Sequence, residues 1–544
     1  NVSGPLIQTE EADLNYRLTV GGKTGDTDKE IASPEKELFL GGGFEVFFGD
    51  NTSFRLNGYW YQDDTYRYWD DFLDISAGAP SEDNLMPAVL NQYSTSSFSP
   101  GRSQDAFWKN TDVFIDLTFL TKLASNLNLR AFYSYNQLTD RRRHVRGITV
   151  QEDNYTLNRQ DIPLIIDDES QNVQIDLMHN LEMDSFKLDS TVGLDRTWGS
   201  RIQYLSVNSG IPAIDTRTGT FPDDDEYFSQ SLPGAGMPNT IQNGSDPTQF
   251  SYYIQENLAV LNDSLILVGG IRGFEPGGFN ISGGNYDTGT ITQRDTKKFH
   301  TTKWGIVYKF QPWLMIYGTQ AENVFTAPGG RTDKFEANDQ LGEPFQDQKG
   351  TLDEIGIKMD HRFSESLSMH GSLVYFDQSL TNVRTFGDLG NGVDGIIQSE
   401  KDTATGFEID YGMRYSTDNG DLDVIFTYFN GDSATATNPG LQAAGFAQDK
   451  ISLLGKYSWR EGALSGFMLG ASAYDQSEVR NGFYLIDQPL IVNIFAGYQF
   501  GEHWNFQLNL DNVTNERYIV ARAADGLIQV AEEFRARFGV SYLW

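Results

Sequence analysis

Cysteine is absent from all 544 residues. That excludes disulfide scaffolds, thiolate metal sites and thiol chemistry, and it suits an oxidising compartment entered without disulfides. Long apolar runs are missing as well: the best window, residues 265–270, falls far short of the about 20 residues that a membrane helix needs. Positive charge is scarce. Lys and Arg number 41 against 75 Asp and Glu, a formal net charge of −34, which excludes nucleic acid as a partner because a phosphate backbone demands basic surface. The six histidines are scattered. No His-x-x-x-His pair, Gly-x-Ser-x-Gly elbow or phosphate-binding loop occurs. No catalytic constellation and no cofactor are assigned. The chain starts at Asn1 without a basic and apolar leader, and so reads as a processed or truncated product.

What is present is aromatic and alternating. The same texture of short segments, rich in Tyr and Phe and punctuated by Gly, Asn and Asp, runs from Asn15 to the end, which favours one repetitive architecture over several domains. Trp504, Phe506, Leu508 and Leu510 alternate with Asn505, Gln507, Asn509 and Asp511. Phe407, Ile409, Tyr411, Met413 and Tyr415 alternate with Glu408, Asp410 and Arg414, and Leu127 to Asn136 repeats the pattern. A period of two over nine to eleven residues is that of a tilted membrane strand with one face toward lipid and one toward water. The apolar content of 39% looks soluble, yet a membrane barrel gives the same average, since every strand hides its apolar half behind polar alternates.

The links between strands are more telling. Turn residues mark tight links at 49–51, 121–126, 182–185, 262–264, 311–312, 361–366, 416–420, 460–463 and 501–503. Much longer links lie between them, at 63–109, 139–171, 199–249, 276–301, 321–349, 378–403, 431–449, 476–488 and 516–532. Short and long alternate strictly, as in an outer-membrane barrel with short periplasmic turns and long outer loops. The expected fold is therefore an all-β, transmembrane, antiparallel up-and-down β-barrel spanning residues 1–544. Nine hairpins supply eighteen strands, and segments 14–22 and 534–544 bring the count to twenty. The last strand ends on an aromatic residue: Phe534, Ala536, Phe538, Val540, Tyr542 and Trp544 share one face. An aromatic final residue behind apolar alternates resembles the insertion signal read by the barrel-assembly machinery, here Phe538, Val540, Tyr542 and Trp544.

Three segments resemble TonB-dependent outer-membrane receptors, particularly the ferric-siderophore branch. Asn509-Leu510-Asp511-Asn512-Val513-Thr514-Asn515-Glu516-Arg517-Tyr518 is similar to the turn that ends the family's penultimate strand, with Val513 and Thr514 in place of the usual Leu-Phe. Ala404-Thr405-Gly406-Phe407-Glu408-Ile409 resembles the family's small-x-Gly-apolar-Glu-apolar strand. Lys349-Gly350-Thr351 with Glu354-Ile355-Gly356-Ile357-Lys358 looks like its strand after the long mid-barrel loop. Tyr253 to Glu256, Leu265 to Arg272, Lys303 to Tyr308 and Trp313 to Gln320 follow in the family's order. The resemblance implies 22 strands, an N-terminal plug filling the lumen, a segment contacting TonB, and import of a scarce bulky nutrient, most naturally an iron chelate. Residues 1–8 look like the passage just after a plug, with the plug itself outside this chain. Uptake of cobalamin or an oligosaccharide is the alternative within the family. A passive porin or a structural scaffold barrel is the alternative outside it, and a porin would have fewer strands, commonly about 16 to 18.

Outer loops are where a ligand would be captured. Tyr66, Tyr68 and Trp69 lead into the first large loop and suit stacking on a planar ligand, or simply loop packing. Tyr59, Trp60 and Tyr61 fit the aromatic girdle that anchors a barrel at the lipid interface. Arg141, Arg142, Arg143 and His144 form the densest basic run. They suit attraction of an anionic iron chelate, while contact with lipopolysaccharide phosphate or with acidic neighbouring loops is the plainer alternative. Asp223, Asp224, Asp225 and Glu226, and separately Asp63, Asp64, Asp70 and Asp71, offer hard oxygens for Ca²⁺ but lack an EF-hand spacing. They read first as solvated loop charge, and metal binding is left open.

Overall fold

The computed structural model describes the chain except residues 1, 10, 26–34, 66–70, 73–84, 91–106, 152, 154, 208–210, 216, 218–239, 283–289, 294–296, 326–330, 337–338, 345, 389–393, 436–442, 525–526, 532 and 543–544. Long antiparallel strands dominate the described residues. In chain order they are β1 (Val2–Gln8), β2 (Ala12–Gly25), β3 (Glu35–Phe48), β4 (Thr52–Thr65), β5 (Phe107–Ala124), β6 (Leu127–Val150) and β7 (Thr156–Met183). Next come β8 (Phe186–Ser206), β9 (Thr240–Val260), β10 (Leu265–Ser282), β11 (Phe299–Gln311), β12 (Leu314–Phe325), β13 (Gln348–Arg362) and β14 (Leu367–Asp388). The series closes with β15 (Asp394–Thr417), β16 (Gly420–Ala434), β17 (Asp449–Trp459), β18 (Phe467–Gln476), β19 (Ile491–Phe500), β20 (Trp504–Asp511) and β21 (Arg535–Tyr542).

Each strand pairs antiparallel with its neighbour in sequence, an uninterrupted up-and-down meander. The pattern holds through β21. Twenty of the twenty-one long strands are those expected from the turns. The addition is β1, expected to be a passage after a plug. Pro5 and a register shift between Pro5 and Ile7 interrupt its alternation and conceal it in the sequence. β1 runs into a tight turn at Thr9, and β21 ends with Tyr542 opposite Trp504, beside the tight turn at 501–503. The last strand therefore ends on the short-turn rim, whereas β1 starts away from it, Val2 lying opposite Leu18 in the middle of β2.

Two expected outer loops are largely strand. β6 and β7 keep their ladder from Leu127↔His179 up to Val150↔Leu157, so the link expected over 139–171 shrinks to a hairpin tip at 151–155. β14 and β15 likewise pair up to Asp388↔Asp394. The apolar alternation stops near Leu138, and the link was expected from there. A strand that has left the lipid tolerates charge on both faces, so composition misplaced its end. At the hairpin tip Asp153 accepts hydrogen bonds from the Thr156 and Tyr155 backbone N–H groups at 2.8 and 2.9 Å. With the Thr156 hydroxyl, these bonds hold its carboxyl below the usual carboxylate range.

Within the wall the period-two expectation decides which side chain faces which solvent. Phe407 lies opposite Tyr375 and Ile409 opposite Leu373, while Phe506, Leu508 and Trp504 lie opposite Val540, Phe538 and Tyr542. These apolar residues line the outward face with Ile355, Ile357, Ile451 and Leu453, which are exposed as a lipid-facing surface should be. The alternates carry ion pairs across the opposite face: Arg414–Asp423 at 2.6 Å, Arg537–Asp511 at 2.8 Å and Arg55–Glu45 at 2.6 Å. Aromatic contacts gather near the tight turns, among them Trp313–His361, Trp459–Tyr457 and Trp504–Tyr542. They form the belt expected at a membrane interface.

One substitution pair tests these faces. Leu373→Arg sets a cation in lipid and should cost about 2–4 kcal/mol, whereas Ser372→Arg, beside Asp410 on the luminal face, should cost little. Denaturant unfolding from lipid vesicles measures both, and an equal cost would reverse the assignment of faces.

Candidate functional site

Two regions could meet a ligand: a roof built from the outer loops, and the luminal wall beneath it. The roof is stitched from segments far apart in sequence. Met86–Pro87 pairs in parallel with Tyr484–Leu485, and Asp71–Phe72 pairs with Leu527–Ile528. Ile519–Ala524 and Leu527–Val530 make a hairpin. Tyr484, Ile486, Ile519 and Ile528 are buried together, with Ala88, Leu90 and Val530 packed around them. The roof thus obeys the rule of a soluble core, apolar inside, although it stands on a membrane wall. A cavity of about 600 Å³ lies at this junction, where Pro87, Leu90, Leu485 and Tyr518 meet Arg517, Glu478 and Asp487.

The segment Asn512 to Tyr518 now has a physical reading. Asn512 and Asn515 adopt positive φ of 49° and 56°, a region that asparagine tolerates. The Asn512 side chain accepts from the Glu516 N–H at 2.9 Å and donates to the Glu516 carbonyl at 2.7 Å. The Asn515 side chain accepts from the Phe534 N–H at 2.8 Å, tying the exit of β20 to the entry of β21. The turn fixes where Arg517 and Tyr518 enter the roof cavity.

The basic run of β6 is not a free patch. Arg141 and Arg143 take one face of the strand and Arg142 and His144 the other. Arg143 is 8% exposed and pairs with the 0%-exposed Asp161 across the ladder at 3.5 Å. Arg142 stacks over Trp108 at 4.5 Å and lies 3.7 Å from Asp140. Only Arg141 is exposed. The run therefore serves largely to pair acidic neighbours and hold the outer hairpin, where Arg159 also donates to the Pro212 carbonyl at 2.8 Å. Tyr66, Tyr68 and Trp69 lie outside the described residues, as do Trp544, Asp70 and Asp223 to Glu226. Phe538, Val540 and Tyr542 stand exposed on the outward face. Asp64 pairs with Lys109 at 3.3 Å and Asp63 is buried. No group of three His, Asp or Glu suited to a metal occurs among the described residues. The girdle expected at Tyr59 to Tyr61 is split: Trp60 faces outward, whereas Tyr59 stacks between Phe39 and Phe114 on the luminal side and donates to Asp112 at 2.9 Å.

The luminal wall holds residues that were not among the candidate ligand-binding residues. From β6 to β11 a polar ribbon crosses six strands. Arg130 pairs with Asp176 at 2.6 Å, and Asp176 also accepts from the Tyr253 hydroxyl. The Arg272 guanidinium lies 5.5 Å from the Tyr253 ring and pairs with Asp195 at 2.7 Å. Lys303 donates to Gln255 at 2.7 Å. Gly193 makes the ribbon possible, because a Cβ there would collide with the Tyr253 ring that lies over it. The sequence signal was only the polar alternates of successive strands, visible as a ribbon once register is known.

A wall of this strand number, apolar outside and polar inside, roofed by its own loops, defines an outer-membrane barrel of the receptor type. The chain belongs to the family described as TonB dependent receptor-like, beta-barrel, whose profile matches residues 41–513. No curated protein matches it in sequence. Its fold is similar to the ferric-catecholate import receptor Fiu of E. coli K12, at 15% identity and TM-score 0.74, covering 99% of this chain and 79% of that one. It is also similar to the siderophore receptor PiuA of Acinetobacter baumannii, at 16% identity and TM-score 0.75, covering 99% and 78%. The ferripyoverdine receptor of Pseudomonas aeruginosa, with ferripyoverdine bound, aligns at 15% identity and TM-score 0.74 over 99% and 69%.

Because Arg143 and Asp161 are buried together, Arg143→Ala should destabilise the outer hairpin by about 3–5 kcal/mol, the cost of stranding a buried charge. Arg141→Ala should leave it unchanged. Protease cleavage between β6 and β7 reports the difference, and equal resistance in the two variants would contradict the buried role.

Proposed function

We propose that this chain forms the wall and roof of a TonB-dependent receptor that imports a ferric siderophore across the outer membrane. The observation that carries the proposal is the pairing of a wide polar lumen with a roof joining the link between β4 and β5 to the last two outer links. A wall of some twenty strands encloses more space than its side chains can fill, and large outer-membrane transporters keep such a lumen plugged. The luminal ribbon of Arg, Asp, Tyr and Gln suits water or a polar folded domain as occupant, through which TonB would act. Family membership supports the energy coupling, and the named specificity of Fiu, PiuA and the ferripyoverdine receptor supports an iron chelate as cargo. The role is transport rather than catalysis. Barrel-assembly machinery and lipopolysaccharide are the expected partners of its outward face.

Uptake of radiolabelled iron chelates by cells producing the full-length protein tests this. Accumulation should saturate and should cease when TonB is deleted. Uptake that rises linearly with concentration and persists without TonB would instead mark a passive pore.

A further inference from the structure

On the luminal wall between β9 and β12, at the level of the outward Trp304, Gly270 and Ala321 open a niche of about 300 Å³. Lys303 lies across it. A Cβ on Gly270 would come within 3.0 Å of the Lys303 Cε, so the absent side chain lets the lysine stem rest flat against the wall. Its ammonium group reaches the neutral Gln255 oxygen at 2.7 Å and has no ion-pair partner among the described residues. Beside it, Arg272 is held by Asp195 and Ser251 at 2.7 and 3.1 Å. The one carboxylate lining the niche, Glu322, is turned to the other face, bound to Lys349 at 2.6 Å and to Thr302. In a protein with a net charge of −34, a luminal niche with an uncompensated cation is a local inversion of sign. Such a focus raises the local concentration of anions.

We propose that the Lys303 niche, flanked by Arg272 and Tyr253, is an anion-binding waypoint on the lumen wall that selects negatively charged chelates. It deepens the import reading and rests on it for the metal, though not for the charge. The ammonium supplies a charge-assisted hydrogen bond to a catecholate or carboxylate oxygen, and Tyr253 supplies an aromatic face.

The probes are two iron(III) complexes of similar size, a trianionic tris(catecholate) and a neutral tris(hydroxamate), titrated by tryptophan quenching into the purified full-length protein at low salt. Lys303→Gln should weaken the trianion about tenfold, the worth of one charge-assisted hydrogen bond, and leave the neutral complex unchanged. Lys303→Arg should retain the wild-type preference. Ala321→Asp, which places a carboxylate on the register partner of Lys303 without removing the cation, should lose it. The preference should also fade as salt screens the charge. Equal affinity of wild type and Lys303→Gln for the trianion, or equal weakening of both complexes, would overturn the site. Charge selectivity that follows these variants upholds it even where TonB-dependent uptake fails, so the two proposals are separable.

Discussion

The structure depends on one constraint: within lipid, no backbone N–H or C=O can be left without a partner. A chain that crosses many times without a long apolar helix meets this demand by pairing each strand with the next. Every later feature follows from that ladder. Period-two geometry places alternate side chains on opposite faces, and a one-residue slip would put Glu408 or Arg537 into lipid. Register is therefore held by the cost of exchanging the two faces. The luminal polarity that makes the ribbon of Arg130, Asp176, Tyr253 and Arg272 possible is the other half of the same alternation.

Above the lipid the constraint relaxes and ordinary folding rules return. About 9–11 residues suffice to span the membrane, yet β7 has 28 and β6 has 24. The surplus forms an outer hairpin that buries Arg143, Arg159 and Asp161 beside Leu157 and Val145. Ile486 and Ile528, from loops at the end of the chain, are 2% and 0% exposed within the roof. One sequence thus solves two problems in two solvents: a ladder in hydrocarbon, and small apolar cores in water. Luminal residues such as Lys303, near the outer end of β11, stand toward the boundary between them.

What the sequence made legible is what the ladder controls. Strand faces around Phe407, Leu508 and Phe538 and the alternation of link lengths follow from local spacing, and the family from the resemblance of a few strand and turn motifs. β1 was missed because Pro5 breaks its period. The hairpin at 139–171 was missed because charge beyond the lipid no longer distinguishes strand from loop. Arg141, Arg142, Arg143 and His144 were read as one patch, but strand geometry sends neighbours to opposite faces, and a cross-strand acid, an acid of the same strand and an indole ring claim two of the arginines. Lys303 and Arg272 carried no signal of their own. Their meaning depends on which residue of the adjacent strand lies opposite, a fact of register that a linear pattern does not contain.

The most direct measurement of this account is a spin-label accessibility scan along β15. Cysteine is absent, so single labels can be placed at each position from 405 to 415 in the protein reconstituted in bilayers. Collision with oxygen should peak at 407, 409 and 411, and collision with a water-soluble nickel chelate at 408, 410 and 414, in strict alternation. A uniform profile, or one repeating every three to four residues, would contradict a wall in which each strand divides lipid from a polar lumen.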